Sequence, residues 1–165
     1  MMTEAEFLAA YERFSDAIFR HCFFRVYDRE AARDLTQETF VRTWEYVAKG
    51  RDIDNIRAFL YRVANNAIID YSRRKRALSL DELLEKGFDP AGAADPTRDI
   101  EANLDAREVM KVLLNLTSDA KDLVVMRYID GFGPKEIAQI IGVSENVVSV
   151  RLNRAIKQLR EYYDR

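Results

Sequence analysis

The stretch KEIAQIIGVSENVVSVRLNRAIKQL, residues Lys135 to Leu159, decides the fold of this chain because it predicts two helices joined by a tight turn. Pro134 suits the first helical position, and Gly142 suits a left-handed helix end. Ser144 then offers a hydroxyl that can cap a second helix. The pattern is typical of a helix-turn-helix placed near the C-terminal end of the chain.

The second helix of this motif divides into an apolar face and a polar face. Apolar residues recur at steps of three and four, which places them on one side: Val148, Leu152, Ala155, Ile156 and Leu159. The opposite side carries side chains that can contact base edges in the major groove: Asn146, Ser149, Val150, Asn153, Arg154 and Lys157. These faces indicate DNA recognition, although an ordinary antiparallel helix pair with a polar outer face fits the same pattern.

Length and composition favour an all-helical protein. The chain has 165 residues, 48% of them hydrophobic and 33% charged, an ordinary globular balance for one or two small domains. Six glycines and three prolines are few, so an all-α fold is expected. A single cysteine, Cys22, excludes an internal disulfide. The polar N-terminus and the lack of a long apolar run predict a cytoplasmic protein without membrane insertion.

Charge is distributed unevenly along the middle of the chain. The net charge of −2 counts against a general nucleic-acid binder, but residues 57–76 carry six basic side chains against Asp70 alone. Residues 77–101 carry seven acidic side chains against two basic ones. This switch, in a segment with proline and glycine, predicts a linker near 77–98. For either cluster taken alone, a solvated face or a surface loop is the simpler explanation.

The remaining patterns predict two small helical domains, at 1–76 and 99–165, joined by the acidic linker. In the first domain Thr3 and Asp28 are expected to cap two helices, and a third is expected to begin near residues 54–55. The expected core includes the aromatic residues Phe7, Phe14, Phe40 and Trp44. The third helix is expected to present an outer face of Arg62, Asn65, Asn66, Ile69 and Arg73.

Three segments taken in order resemble a known family. They are Asp28 to Trp44, DREAARDLTQETFVRTW; Phe59 to Arg76, FLYRVANNAIIDYSRRKR; and the C-terminal helix-turn-helix. Together they are similar to bacterial RNA polymerase sigma factors of the small, two-domain extracytoplasmic-function (ECF) group, and the resemblance covers nearly the whole chain. It implies a protein that binds core RNA polymerase, reads the minus-ten and minus-thirty-five promoter elements, and helps to melt the promoter.

The resemblance implies roles for particular positions in the N-terminal domain. The helix matching Asp28 to Trp44 docks on the largest polymerase subunit in this family, which implies polymerase contacts from Asp34, Gln37, Glu38 and Arg42. The segment matching Phe59 to Arg76 reads and opens the minus-ten element, which implies DNA contacts from Arg62, Asn65, Asn66, Arg73 and Arg74. Phe59 stands where the family often has tryptophan, so a base-stacking role for it stays open.

In the C-terminal domain the resemblance implies contacts to the minus-thirty-five element. The residues are Lys135, Ser149, Val150, Arg151, Asn153 and Arg154, with Lys135 and Arg151 on phosphates. Val147 and Ser149 replace a threonine and a basic residue that are common in the family, which leaves the exact bases open. Core polymerase and promoter DNA are the implied partners, and the family allows for an anti-sigma factor. No cofactor or metal is expected, because the polymerase carries out the chemistry.

The charge switch also suggests that the free protein is compact, with linker acids shielding the basic third helix, and opens only on the polymerase. Two promoter elements about two helical turns apart lie roughly 70 Å from each other. A linker of this length spans that distance only when nearly extended. As a relaxed coil it would average about 27 Å.

Other classes of function stay open on the sequence. A conventional helix-turn-helix regulator would bind an operator without polymerase, but the basic third helix with its two asparagines argues against it. An enzyme is disfavoured, because His21 is the sole histidine and neither a phosphate-binding glycine loop nor a metal-ligand spacing appears. No small-molecule substrate is expected, and Asp130 to Gly133 is interpreted as the turn before Pro134. A purely structural module would leave the outward polar face unexplained.

Overall fold

The computed structural model describes residues 1–86 and 104–164, with side chains described for 1–78 and 106–164. Every element in these ranges is helical, which confirms the predicted all-α fold. An N-terminal module contains α1 (Glu4–Val26), α2 (Arg29–Ala48) and α3 (Ile56–Lys86). A C-terminal module contains α4 (Leu104–Leu114), α5 (Ser118–Val124) continued by a π-helical segment (Val125–Ile129), α6 (Pro134–Ile141) and α7 (Glu145–Tyr163).

Side-chain caps determine where the N-terminal helices begin. Thr3 Oγ1 accepts from the Glu6 backbone N–H at 3.1 Å, and the Glu6 carboxylate accepts from the Thr3 backbone N–H at 2.7 Å. Asp28 caps α2 and Asn55 caps α3, each with a side-chain oxygen 3.1 Å from a backbone N–H three residues later. These caps confirm the predicted helix starts, because each satisfies a donor that the helix itself leaves unpaired.

One predicted core aromatic of the N-terminal module lies at the surface instead. Phe40 is buried, as expected, beside core residues such as Ile18 and Leu60. Trp44 is 38% exposed, and its ring centroid lies 5.0 Å from that of Phe7. The prediction of a buried Trp44 is wrong, because this residue packs on the first turn of α1, at the end of the three-helix bundle.

Helix α3 is longer than the sequence predicted. It continues to Lys86, so residues 77–86, the first ten positions of the predicted linker, are helical. Leucine, glutamate and lysine dominate this stretch and are good helix formers, which explains the continuation. The rest of the predicted linker, residues 87–98, lies outside the described residues.

The C-terminal module contains the predicted helix-turn-helix. Helix α6 begins at Pro134 and ends at Gly142, whose φ of +77° lies in the left-handed region. Ser144 Oγ then accepts from the Val147 backbone N–H at 3.2 Å and caps α7. Helix α7 is anchored by three buried residues spaced by four and three: Val148, Leu152 and Ala155.

The two modules share one continuous apolar core. Phe132 and Val148 of the C-terminal module belong to the same buried cluster as Ile18 and Leu60 of the N-terminal module. Phe132, in the turn before α6, is only 1% exposed, and its ring meets that of Tyr61 edge to face with centroids 4.7 Å apart. The described modules are therefore packed together rather than separated.

A second buried cluster also crosses between the modules. Phe24 of α1 packs with Met110, Leu113 and Val125 of the C-terminal module. Each large apolar side chain buried in this way contributes about 1.5–3 kcal/mol. The described modules are packed together, but all seven acidic residues of 77–101, to which the sequence attributed compaction, lie outside the described side chains.

Candidate nucleic-acid interface

Helix α7 presents most of its predicted base-contacting side chains to solvent. Val150 is 39% exposed, and Arg151, Asn153 and Arg154 are exposed on the same side, with Ser149 half-buried beside them. This orientation follows from the buried anchors of α7, because residues between successive anchors on a helix point away from the core.

The exposed side of α7 carries groups that the major groove can pair with. Arginine, as at Arg154, can bond guanine through two N–H groups; asparagine, as at Asn153, can pair with adenine; and Val150 can meet a thymine methyl. Lys135, at the start of α6, and Arg151, on α7, carry positive charges of the kind that bind phosphates. This surface is suited to direct contact with duplex DNA.

Helix α3 exposes four of the five residues predicted to bind the minus-ten element: Arg62, Asn66, Arg73 and Arg74. The fifth, Asn65, is 6% exposed, and its Oδ1 accepts from Arg25 at 2.9 Å. The expectation that Asn65 faces outward is wrong, because a buried arginine on α1 requires a hydrogen-bond acceptor and Asn65 supplies it.

Arg62 is exposed but already engaged by the C-terminal module. Its guanidinium donates to the backbone carbonyl of Gln139 in α6 at 2.8 Å. The helix-turn-helix therefore contacts the same side of α3 that is predicted to bind promoter DNA.

A shallow basic pocket lies between α2 and α3. It is lined by Arg42, Asp70, Arg73 and Arg74. Arg42 pairs with Glu38 one turn earlier in α2 and approaches Asp70, with 3.8 Å between nitrogen and oxygen. Two carboxylates thus compensate Arg42, whereas Arg73 and Arg74 form no ion pair within the described residues. These two arginines are the groups of the pocket that are available to an anion.

The face of α2 predicted to contact polymerase combines polar and apolar side chains. Asp34 and Gln37 are exposed, while Glu38 and Arg42 are half-buried and bonded to each other. Val41, 56% exposed, continues the exposed side at helical spacing from Gln37. Sequence reasoning missed this apolar part, because an isolated valine in a helix gives no signal of its own orientation.

A buried polar contact joins α1 to the C-terminal module. His21 Nδ1 and Asp130 Oδ2 lie 2.5 Å apart, and the Asp130 side chain is 1% exposed. His21 Nε2 faces the Arg25 guanidinium at 3.4 Å. Because arginine only donates hydrogen bonds, Nε2 is the acceptor and Nδ1–H donates to Asp130. This contact joins α1 to the turn that precedes α6.

Arg25 extends this contact toward α5. Its Nε lies 2.5 Å from Asp122 Oδ1, and Lys121 Nζ donates to the Arg25 carbonyl at 3.2 Å. Burial raises the pKa of Asp122, although Arg25 acts to lower it. Burial likewise lowers the pKa of Lys121. The charged groups between the modules are therefore partly removed from water.

Arg57, at the start of α3, binds the turn that precedes α6. It donates to the Asp130 backbone carbonyl at 2.7 Å, lies 3.6 Å from the Glu136 carboxylate, and stacks over Phe132 at 4.0 Å from the ring centroid. The interpretation of Asp130 to Gly133 as a simple turn is thus incomplete, because the segment also anchors the modules to each other. The sequence did contain a signal for this role, because Phe132 is a large apolar residue placed between two glycines in a turn that would otherwise be polar.

Among the described side chains, no group of three or more histidine, cysteine, aspartate or glutamate residues is placed to hold a metal ion. None of the described helices combines the length and apolar character needed to cross a lipid bilayer.

Both modules match family models of the sigma-70 proteins. Residues 10–78 match Sigma-70 region 2, and residues 106–159 match Sigma-70, region 4. The chain is 26% identical to RNA polymerase sigma factor YlaC of Bacillus subtilis, over 92% of this chain and 88% of the relative. It is 27% identical to ECF RNA polymerase sigma factor SigL of Mycobacterium tuberculosis, over 92% of this chain and 85% of the relative.

A solved structure has the same fold. It is the sigma factor RpoE of Bartonella quintana in complex with the anti-sigma factor NepR, with a TM-score of 0.76 and 21% identity over 96% of this chain and 97% of that one. The order of the two sigma-70 regions agrees with the order of the segments quoted from the sequence. The chain belongs to the sigma-70 family, in the ECF group of sigma factors that act with RNA polymerase in promoter-specific transcription initiation.

Proposed function

We propose that the two domains divide the recognition of a promoter between them. The N-terminal domain, 1–76, binds core polymerase and the minus-ten element, and the C-terminal domain, 99–165, binds the minus-thirty-five element; 77–98 connects them. The observation that carries this proposal is the exposed face of α7, where basic, amide and apolar side chains lie together on a helix fixed by buried anchors.

At the minus-thirty-five element, α7 enters the major groove. Ser149, Val150, Asn153 and Arg154 contact base edges, and Lys135 and Arg151 hold phosphates. The exposed positions of these side chains support the assignment, with Ser149 the least accessible of them.

At the minus-ten element, α3 holds DNA through Arg62, Asn66, Arg73 and Arg74. Arg73 and Arg74 contribute the positive charge of the pocket beside α2 and contact phosphates. Asn65 joins this set only after its bond to Arg25 is exchanged for one to a base. Bases taken out of the stack cost a few kcal/mol, which such contacts offset.

Core polymerase docks on α2. Asp34 and Gln37 contact it directly, and the Glu38–Arg42 pair lies at the border of the docking face toward α3. The apolar surface of Val41 lies within that face. The protein works in the cytoplasm, where the polymerase is, and carries no catalytic activity of its own. An anti-sigma factor is a further proposed partner, since the Bartonella relative is bound to one.

Run-off transcription tests this function. Purified chain is added to core RNA polymerase on genomic fragments, and transcripts that depend on it are mapped. Arg154→Ala is expected to reduce promoter-specific transcription about tenfold or more, because a base contact of this kind contributes about 1–3 kcal/mol of discrimination. Arg160→Ala is the matched control, since it removes the same charge from an exposed position at the end of α7.

Equal loss of transcription in Arg154→Ala and Arg160→Ala would contradict base contact by Arg154. An absence of transcripts with the wild-type chain, together with tight operator binding without polymerase, would favour a conventional helix-turn-helix regulator. The similarity to sigma factors gives no support to that alternative.

A further inference from the structure

The basic pocket between α2 and α3 contains a carboxylate that its positive charge does not explain. The pocket has a volume of about 380 Å³ and is lined by Arg42, Asp70, Arg73 and Arg74. Asp70 is the sole acidic residue among residues 57–76. Because a negative charge repels phosphates, Asp70 weakens the general affinity of this surface for DNA. A role for Asp70 must therefore come from something other than phosphate binding.

The ion pairs of Arg42 do not account for Asp70. Arg42 is bonded to Glu38 one turn earlier in α2. Its guanidinium lies 3.8 Å from the Asp70 carboxylate, which is too far for a hydrogen bond. Among the described residues this is the closest charged partner of Asp70, and half of the Asp70 side chain is exposed. Its two oxygens can therefore accept hydrogen bonds from a ligand in the pocket.

Asp70 lies between side chains of α3 that are proposed to contact the minus-ten element. Asn66 precedes it by one helical turn, and Arg73 and Arg74 follow it by about one turn. All four side chains are exposed. A DNA strand that is held by Asn66 at one end and by the two arginines at the other passes over the Asp70 carboxylate.

The four bases differ in what they offer to a carboxylate. The Watson–Crick edge of guanine has two adjacent donors, N1–H and the amino group at C2, which match the two oxygens of a carboxylate. Adenine and cytosine place an acceptor nitrogen beside their amino group, and thymine places a carbonyl on each side of its one N–H. Those acceptors face a carboxylate unfavourably. In duplex DNA this edge is occupied by the complementary base, so only an unpaired guanine fits.

We infer that Asp70 selects an unpaired guanine in the melted minus-ten strand. Its carboxylate accepts from N1–H and from the amino group of the base, while Arg73 and Arg74 hold the neighbouring phosphates. The planar guanidinium groups also offer a surface on which a base can stack. The inference rests on the proposed DNA-binding role of α3 and adds to it the base that the pocket prefers.

Asp70→Asn in the full-length chain tests this assignment. The substitution keeps the shape of an exposed side chain, so the fold is expected to be retained. The amide replaces one acceptor with a donor, and it therefore matches adenine or cytosine instead of guanine. Glu38→Gln is the matched control, because it also removes a carboxylate bonded to Arg42 but leaves the lining of the pocket intact.

Fluorescence anisotropy with labelled oligo(dT) measures the preference. Each oligonucleotide carries one central guanine, hypoxanthine, adenine or cytosine. The wild-type chain should bind the guanine oligonucleotide about tenfold more tightly than those with adenine or cytosine. Hypoxanthine lacks the amino group at C2 and should be intermediate. Asp70→Asn should lose the guanine preference, whereas Glu38→Gln should keep it. Loss of a negative charge tightens binding of every oligonucleotide alike, so the ratio between bases reports recognition.

Equal binding of the four oligonucleotides by the wild-type chain, or no binding at all, would overturn the assignment. A guanine preference that survives in Asp70→Asn, or that disappears in Glu38→Gln, would overturn it as well. Run-off transcription by the wild-type chain is scored separately. Normal transcription without a guanine preference contradicts only the role of Asp70, whereas a guanine preference without transcripts contradicts the proposed function.

Discussion

Asn65 and Asn66 are neighbours in α3 with different surroundings. Asn65 is buried and accepts a hydrogen bond from Arg25, whereas Asn66 is exposed. The sequence placed both on one outer face, since helical periodicity alone does not reveal a partner 40 residues away. Arg25 could be recognised as buried only after α1 and α3 were packed together.

Asn65→Ala is expected to destabilise the protein by about 1–3 kcal/mol, because it leaves a buried arginine donor without its acceptor. Asn66→Ala is the control and should change stability by less than about 0.5 kcal/mol, as surface substitutions usually do. Urea denaturation followed by circular dichroism measures both. Equal stability of the two variants would contradict the structural role of Asn65.

Cys22 shows how burial controls reactivity. Burial raises the pKa of its thiol to about 12, with a smaller opposing effect from Arg25. At pH 8 the reactive thiolate is then a far smaller fraction of the thiol than it is for a cysteine of ordinary pKa. The stabilisation from keeping this thiol neutral is complete below the ordinary pKa and is lost only as the pH rises toward 12.

Native protein at pH 8 is therefore expected to react with a thiol reagent at least a hundredfold more slowly than protein unfolded in urea. Ala48→Cys, at an exposed position at the end of α2, supplies the control and should react at once. Rapid labelling of Cys22 in the folded wild type would show that the core around α1 opens readily.

At the scale of single helices, local sequence predicted most of what the structure has. The caps at Thr3, Asp28 and Ser144 each act within three residues, so they were visible as short patterns. The end of α3 and the position of Trp44 were not, because helix formers can extend any helix and because burial depends on what lies opposite. Local patterns thus fixed helix starts better than helix ends or faces.

Gly142 is the element-scale test of the helix-turn-helix. Its φ is +77°, and a Cβ built there would meet nothing within 4 Å, so the cost of substitution is conformational. Gly142→Ala is expected to lower stability by about 1 kcal/mol. Gly142→Asn should cost less, because asparagine tolerates the left-handed region. Thermal denaturation of the two variants gives the comparison, and equal losses would argue against this explanation.

At the scale of the whole molecule, the contacts between modules could not be predicted from the sequence. His21 and Asp130 are separated by 109 positions, and nothing in either local pattern points to the other. The exposed face of α7, which is proposed to contact DNA, could be predicted, because its exposure depends only on the periodicity of one helix. The solvent-facing side of α7 was thus accessible from the sequence, whereas the contacts between the modules were not.

Phe132→Ala tests whether the modules fold as one unit. Removing this buried ring is expected to cost about 3–5 kcal/mol. Trp44, the sole tryptophan, lies in the N-terminal module and reports on its unfolding by fluorescence. Because the core is shared, the Trp44 transition should move to lower urea in the variant. A Trp44 midpoint that stays in place while circular dichroism shows earlier loss of helix would mean that the modules unfold independently.

The contact between His21 and Asp130 has a practical consequence. His21 is the sole histidine, so nitrogen-detected NMR of the imidazole yields a single spin system for the entire chain. Its Nδ1 proton is shielded from water and bonded to a carboxylate, so it should resonate far downfield and exchange slowly while the modules are closed. This one resonance therefore reports the contact between the modules without a dye or a full assignment. If the contact breaks during titration with polymerase, the resonance should disappear.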